Sequence, residues 1–536
     1  MKRKIVACLC VMTMTIGLLT GCGGQKTDEK GEKTESKKEE VVSKSEDGVF
    51  TMAINSMPAS LQPKTVSDDQ VSIVRPIYEP LFADTKDGLE YYLADSMEIS
   101  DDAKTYTIHI NEKANWSDGE PVTVDDVLFS IDYNGVNSNG KSSYNTINGK
   151  AIVFNKKDDK TLEMVLPEAF ATYTANLGRL MILPSHAFDN DPTKVDGSEY
   201  FTSTDMTTSG AYTVLEINED NIVYEARNDY YRGTPQVKKI IMKTIGAGST
   251  KQIAFENNEI SYMRVTTKEE LEKYENSDDY NIYSISEGRL NYLQINPYGP
   301  ANEKLTDDAR KAICLALNDE EIVDAAYGAE ELARTANSLL TPDQSLYNKD
   351  CKGYEQNLEE AKALAKSSGL EGQTLVYIYN NERSNMEEIA TVIQQQLQEI
   401  GVNVDVQGLD SSTFFDKLLG HSYGNDQEKT WDLATNGWDS ERGGNLGQAY
   451  TYINHAKYNW GFSEEARALA VQVNSATSES EAKELAKDLQ DLALSECWEY
   501  PLTYTNYVMV AQKNVKGLDG NSVVPEFIDW LTISVE

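Results

Sequence analysis

Histidine is scarce in this chain of 536 residues: His109, His186, His421 and His455 stand apart from one another and from cysteine. Isolated histidines serve most often as structural residues, and so few imidazoles argue against direct metal capture. Cysteine is scarce too, with six in all. Cys8, Cys10 and Cys22 stand near the start; Cys314, Cys351 and Cys497 follow singly, an odd number with no CxxC spacing. That pattern is neither a zinc site nor a disulfide scaffold, and it leaves room for one bridge at most. Cys314 falls inside a helical pattern and reads as a small buried hydrophobe. Positive charge is short: 49 Lys and Arg against 87 Asp and Glu give 49 − 87 = −38. Such a surface repels phosphate backbones and argues against general nucleic-acid binding. Catalytic signatures are missing as well. There is no GxSxG elbow, P-loop or HExxH, and Gly246-Ala247-Gly248 lacks the third glycine of a dinucleotide fingerprint. The acidic pairs Asp125-Asp126 and Asp307-Asp308 stand at helix starts, where they complement the helix dipole. The chain is therefore read as a non-enzyme with no cofactor and no metal.

What is present is ordinary globular material, 40% hydrophobic and 25% charged. The length suggests roughly two to four domains. Tyrosine is plentiful, 30 residues against 12 Phe and 6 Trp. It suits half-buried strands, or a ligand cleft lined with polar-tipped rings.

The chain opens on Met1-Lys2-Arg3-Lys4, followed by the mostly apolar stretch Ile5 to Leu19, 15 residues long. A spanning helix needs about 20, so these residues read as a secretory leader, 1–21. The leader ends in Leu19-Thr20-Gly21-Cys22, which resembles a bacterial lipobox. The resemblance implies cleavage before Cys22 and lipid attachment there. Between Gln25 and Glu46 six Lys and seven Asp or Glu alternate with Ser, Thr and Gly. Such a segment cannot bury enough apolar surface to offset ordering entropy, so 22–47 is expected to be a disordered tether. It would span about 25–30 Å.

Beyond it helices and strands alternate, which gives a mixed α/β class with several lobes. Val49 to Asn55 is strand-like. Asp68 to Phe82 reads as a helix. Tyr106, Ile108 and Ile110 alternate with Thr105, Thr107 and His109 as a half-buried strand. Thr123, with Asp126 three residues on, begins an amphipathic helix in a variant of the capping box. Tyr212 to Ile217 and Ile222 to Ala226 form a hairpin, and Lys239 to Thr244 a further strand. Asn291 to Asn296 begins a new segment. At 374–406 a strand, a helix stopped by Gly401 and a second strand follow in order, a crossover unit of an α/β sheet. Ser463 to Glu496 is mostly helical, and short strand-like pieces lie around Thr503 to Val510.

Several segments resemble the family 5 extracytoplasmic solute-binding proteins of peptide and nickel ABC importers. The most specific are Leu93-Ala94-Asp95-Ser96, Asp101 to Thr107, and Trp116-Ser117-Asp118-Gly119-Glu120-Pro121-Val122-Thr123-Val124-Asp125-Asp126-Val127. Ile182-Leu183-Pro184-Ser185-His186, Arg227 to Gly233, Ala309-Arg310-Lys311-Ala312, and Trp431-Asp432-Leu433 leading into Gly437-Trp438 follow in the family's order. Ser209-Gly210-Ala211-Tyr212 departs from the family's usual Gly-Pro-Tyr.

The resemblance implies an α/β, periplasmic-binding-protein-like two-jaw clamp with an extra inserted domain. Domain I would comprise 48–85, 204–287 and 505–536, domain II the insertion 86–203, and domain III the residues 288–504. The signature stretch would build domain II, away from the ligand. A ligand would lie between domains I and III and be enclosed by hinge closure. Peptide binders of the family hold an extended peptide through its main chain. The matching segments are Asn436-Gly437-Trp438-Asp439 and Met57-Pro58-Ala59. Trp438 could wall the cleft or pack in the core. Glu441 stands where many members place an aspartate against the peptide's α-ammonium, with Asp439 as the fallback. Glu441 could equally be a solvated side chain beside Arg442. Arg442-Gly443-Gly444 departs from the Asp-Pro pattern common there. The implied protein captures peptides and delivers them to a membrane permease with its ATPase. It would be a monomer, lipid-anchored on the extracytoplasmic face of a Gram-positive-type bacterium. A nickel chelate, an oligosaccharide or an opine-like solute on the same clamp is the alternative, and a surface peptidase the remote one.

Overall fold

The computed structural model describes residues 48–63, 68–85, 88–136, 139–170, 173–246, 248–420, 425–439, 453, 461–520, 527 and 529–536. The leader, Cys22 and the tether lie outside them. Among the described residues no helix is long and apolar enough to cross a membrane.

Three main sheets carry the body. The first runs in the order Val49–Ile54, Lys239–Thr244, Asn221–Ala226, Tyr212–Ile217; its first pair is parallel and the others antiparallel. Phe50, Met52 and Ile54 alternate into the core, as the period of two requires. Gly210, just before the Tyr212 strand, closes against the chain at Pro76–Ile77. A Cβ there would collide with the Pro76 carbonyl, while the Ser209 and Gly210 amides donate to the Ile77 carbonyl at 3.1 and 3.0 Å.

The second sheet is antiparallel, in the order Ala94–Ile99, Thr105–Ile110, Thr161–Val165, Val153–Lys156. Helix Val124–Gly135 begins beside it, and the Thr123–Asp126 capping box read in the sequence is present. Asp126, 2% exposed, does more than cap. One carboxylate oxygen accepts from the Trp116 indole (3.3 Å), the Thr123 amide (2.8 Å) and the Thr123 hydroxyl (3.2 Å). The other accepts from the Ser185 amide (2.9 Å) and hydroxyl (2.8 Å). Tryptophan, threonine and the serine of Pro184-Ser185-His186 are therefore tied by one buried anion, which gives the signature stretch a structural task.

The third sheet has seven strands. Met263 and its neighbours (Tyr262–Val265) lie at one edge, followed by Glu499–Gln512, Tyr280–Ile295, Leu433–Asp439, Thr374–Asn380 and Asn403–Leu409; Ala333–Thr335 adds to Glu499–Gln512. The last three in that order run parallel; helix Met386–Glu399 joins Thr374–Asn380 to Asn403–Leu409, with Gly401 at φ 79° ending the helix as expected. The two central strands are long, 16 and 14 residues. They serve three cores. Tyr507 and Met509 face the core of the first two sheets, Val508 and Val510 a second, and Leu290, Tyr292 and Tyr504 a third.

Three expectations change. The helix at Asp68 stops at Val74, because Arg75 precedes Pro76 and a residue before proline is steered out of the helical region. Asn291 to Ile295 end a strand that began at Tyr280. The pieces near 503–510 are one strand, buried at every residue but Asn506. A strand buried on both faces shows no alternation, so its length is hidden from periodicity.

Candidate functional site

The long pair of strands is irregular at two places, a second shift falling between Asn291 and Tyr292. The register between Tyr280–Ile295 and Glu499–Gln512 shifts between Ser286 and Arg289, with Gly288 at φ 65°. A bulge re-aims side chains, and glycine supplies the left-handed backbone at no steric cost. Glu287 and Arg289, on either side of it, turn into a pocket of about 290 Å³. Arg264, Thr266 and Thr505 line it from one part of the chain, and Asn291, Tyr327, Arg383, Asn385 and Met386 from another.

Each wall follows from local structure. Arg264 projects from the edge strand, lies 4.6 Å over the Tyr507 ring and pairs with Glu287 at 2.9 Å. The Thr505 hydroxyl donates to the same Glu287 oxygen at 2.7 Å. The Arg289 Nε donates to Asn291 Oδ1 at 3.2 Å, and the Asn291 amide donates to Tyr327 Oη at 2.9 Å and Thr503 Oγ1 at 3.0 Å. Burial pushes the Tyr327 hydroxyl up to about 12, so it stays protonated at physiological pH. Arg383 and Asn385 come from the loop after strand Thr374–Asn380. The ends of parallel strands are where open α/β sheets bind ligands. Asn385, at φ 69°, donates its side-chain amide to the Thr266 carbonyl at 3.1 Å and joins the two walls. Among the described residues, three guanidiniums and one carboxylate line the pocket, 3 − 1 = +2, in a chain whose net charge is −38. This is a positive concavity within a negative molecule. It suits an anionic group, which guanidinium can meet with two parallel hydrogen bonds. Among the described residues no group of three or more His, Cys, Asp or Glu could hold a metal ion.

The residues singled out in the sequence fall in different places. Gly437 is paired with Asn291, and a Cβ on it would strike Asn291 Oδ1 and the Arg289 guanidinium. The glycine therefore makes room for the arginine that lines the pocket. Asn436 and Trp438 point to the opposite face of that strand. Trp438 is 4% exposed and packs on Tyr292 with ring centroids 4.6 Å apart. Asn436 donates to Tyr292 Oη at 3.3 Å. Met57 and Pro58 are half-buried and Ala59 exposed, and none of the three lines the pocket. The backbone of Asp439 ends the strand opposite Arg289. Its side chain, and all of Glu441, Arg442, Gly443 and Gly444, lie outside the described residues. Sequence reasoning missed Arg264, Glu287, Arg289, Arg383 and Asn385. The one local signal is the Glu-Gly-Arg of 287–289 interrupting an apolar strand pattern.

A multi-lobed α/β body, with long strands shared between cores and a charged pocket beside their irregularity, defines a solute-binding clamp. The model for bacterial extracellular solute-binding proteins, family 5, matches residues 88–463, and the chain belongs to that family. Its members are extracellular solute-binding proteins. The chain is 24% identical over 348 residues to the dipeptide-binding protein of Escherichia coli (strain K12), covering 59% of this chain and 62% of that one. It is 22% identical over 502 residues to the probable D,D-dipeptide-binding periplasmic protein DdpA of the same organism, covering 89% and 92%. Among solved structures, the ABC transporter substrate-binding protein CtaP of Listeria monocytogenes superposes with a TM-score of 0.83 at 27% identity, over 91% of this chain and 100% of that one.

Proposed function

We propose that this chain is the substrate-binding component of an ABC importer, and that it captures short peptides by both ends in a cleft between domain I (48–85, 204–287, 505–536) and domain III (288–504). The observation that carries the reading is the charge of +2 on the described residues of the pocket, set in a chain of −38. Arg264, Arg289 and Arg383 take the peptide's carboxylate. Glu441, or Asp439 in its place, takes the α-ammonium. The main chain of Asn436–Asp439 and of Met57–Ala59 runs along the peptide, which leaves affinity largely independent of side-chain identity. The bulge at Glu287–Gly288 supports a hinge there, since a register break localises bending. The names of the E. coli relatives support a peptide cargo. Delivery to a permease and its ATPase, a lipid anchor at Cys22 and a monomeric state complete the proposal.

Calorimetry with a short peptide, its C-terminal amide and its N-acetyl form tests it. Both blocked forms should bind at least about tenfold more weakly, since each removes one charge pair from a low-dielectric cleft. Glu441→Gln should weaken the free peptide by about 2–3 kcal/mol and leave the N-acetyl form unchanged. No heat from a mixed short-peptide library would overturn the peptide reading, and mass spectrometry of the co-purifying ligand would then name the cargo.

A further inference from the structure

Away from the pocket, Cys314 on helix Asp307–Ala316 and Cys497 just before strand Glu499–Gln512 are both buried, 0% and 4% exposed, and belong to the same core. Far apart in sequence, they are brought together by Arg310. Its Nε donates to the Glu496 carbonyl at 3.1 Å, and its guanidinium lies 3.7 Å over the Trp498 ring. Arg310 thus grips the residues on either side of Cys497, and Cys314, four residues on, shares its helix face. Tyr354 packs against the same core, its hydroxyl 3.6 Å from Cys497 Sγ. Cys497 holds φ 54°, an unfavourable backbone for a residue with a Cβ, fixed here by the Arg310 grip.

We propose that Cys314 and Cys497 form a dithiol site that closes to a disulfide when the chain folds outside the cytoplasm, while Cys351 stays a free thiol. Family membership places folding in a compartment where disulfides persist. The oxidant is a small-molecule disulfide such as cystine. Cys497, as thiolate, displaces one of its sulfurs, forming a mixed disulfide and releasing one cysteine thiol. Cys314 then displaces the second, leaving the intramolecular S–S bond. The two protons lost by Cys314 and Cys497 end on the two released thiols. Because both sulfurs are buried in the folded chain, exchange takes place before the core closes over them.

The full chain, unfolded and refolded in a cystine–cysteine buffer, is alkylated in denaturant, digested with trypsin and mapped by mass spectrometry. Lys311 and Arg334 flank Cys314, Lys349 and Lys352 flank Cys351, and Lys487 and Lys513 flank Cys497, so each lies in its own peptide. The expected map links the Cys314 and Cys497 peptides and shows Cys351 alkylated. Cys351→Ser should leave the link intact. Cys314→Ser should replace it with a single cysteine held by disulfide on Cys497. Alkylation of all three cysteines in the refolded wild-type chain, or a link through Cys351, would overturn the proposal, and neither result bears on peptide binding.

Discussion

Asp126 and the pocket at Arg289 are two charged sites in one chain, built on opposite logic. Around Asp126 one buried carboxylate is met by five donors from three segments, and no acceptor capacity remains for a guest. At the pocket the described lining holds three guanidiniums and one carboxylate, which pairs with Arg264, itself still exposed. A saturated charge holds structure. An imbalance of charge, walled by two parts of the chain, is provision for something that arrives later.

The sharpest way to break the comparison is Asp126→Ala. Five donors lose their acceptor, three of them buried: the Trp116 indole and the Ser185 amide and hydroxyl. Unfolding free energy should fall by about 3–4 kcal/mol, measured by denaturant titration. Peptide affinity of the fraction that remains folded should not change. A loss of affinity at unchanged stability would reverse the roles assigned to the two sites.

The same contrast explains what could be read from the residues alone. The Thr123–Asp126 capping box was legible because it is a local rule, whereas Ser185, which supplies two of the five donors to Asp126, lies 59 residues away and was not. Alternating strands such as Thr105–Ile110 were legible for the same reason, one face buried and one wet. The pocket was not. Arg264, Arg289 and Arg383 lie on three different elements and meet only through the pairing of the long sheet. No local pattern marks them. Gly437 was singled out for its main chain, but its contribution is the space it leaves for Arg289. Trp438, its neighbour, points the other way because a strand alternates, and one residue of register decides between cleft and core.

Arg289→Gln is the next largest test. It should cost about 2–3 kcal/mol in binding of a free peptide and little for the C-terminal amide. Stability should move by about 1 kcal/mol or less, because the arginine is half-buried and its Asn291 neighbour keeps its bonds to Tyr327 and Thr503. Equal losses for peptide and amide would place the carboxylate elsewhere.

Glu499 sharpens the comparison from the other side: it is as buried as Asp126 but has no donor to either oxygen. Strand register sets it opposite Gln294, whose Oε1 also lacks a partner. With nothing to stabilise the anion, burial raises its pKa to about 8 from an ordinary value of 4.5. The folded state therefore holds a proton that the unfolded chain gives up above about pH 4.5. Its stabilising contribution is complete below that value and is lost as pH rises through about 8. Between pH 7 and pH 8 the loss from this one group should be about 1 kcal/mol, since a full proton is worth about 1.4 kcal/mol per pH unit. Glu79 and Asp319, both raised to about 7 chiefly by burial, add to the slope in the wild type. The Glu499→Gln variant isolates the one contribution. An amide cannot ionise, and it can donate toward Gln294 as the protonated acid does. Its stability should match the wild type near pH 5 and exceed it at pH 8, with a shallower decline between. Parallel curves for the two proteins would mean that Glu499 finds a donor in solution, and that the line drawn between saturated and unsaturated carboxylates does not hold there.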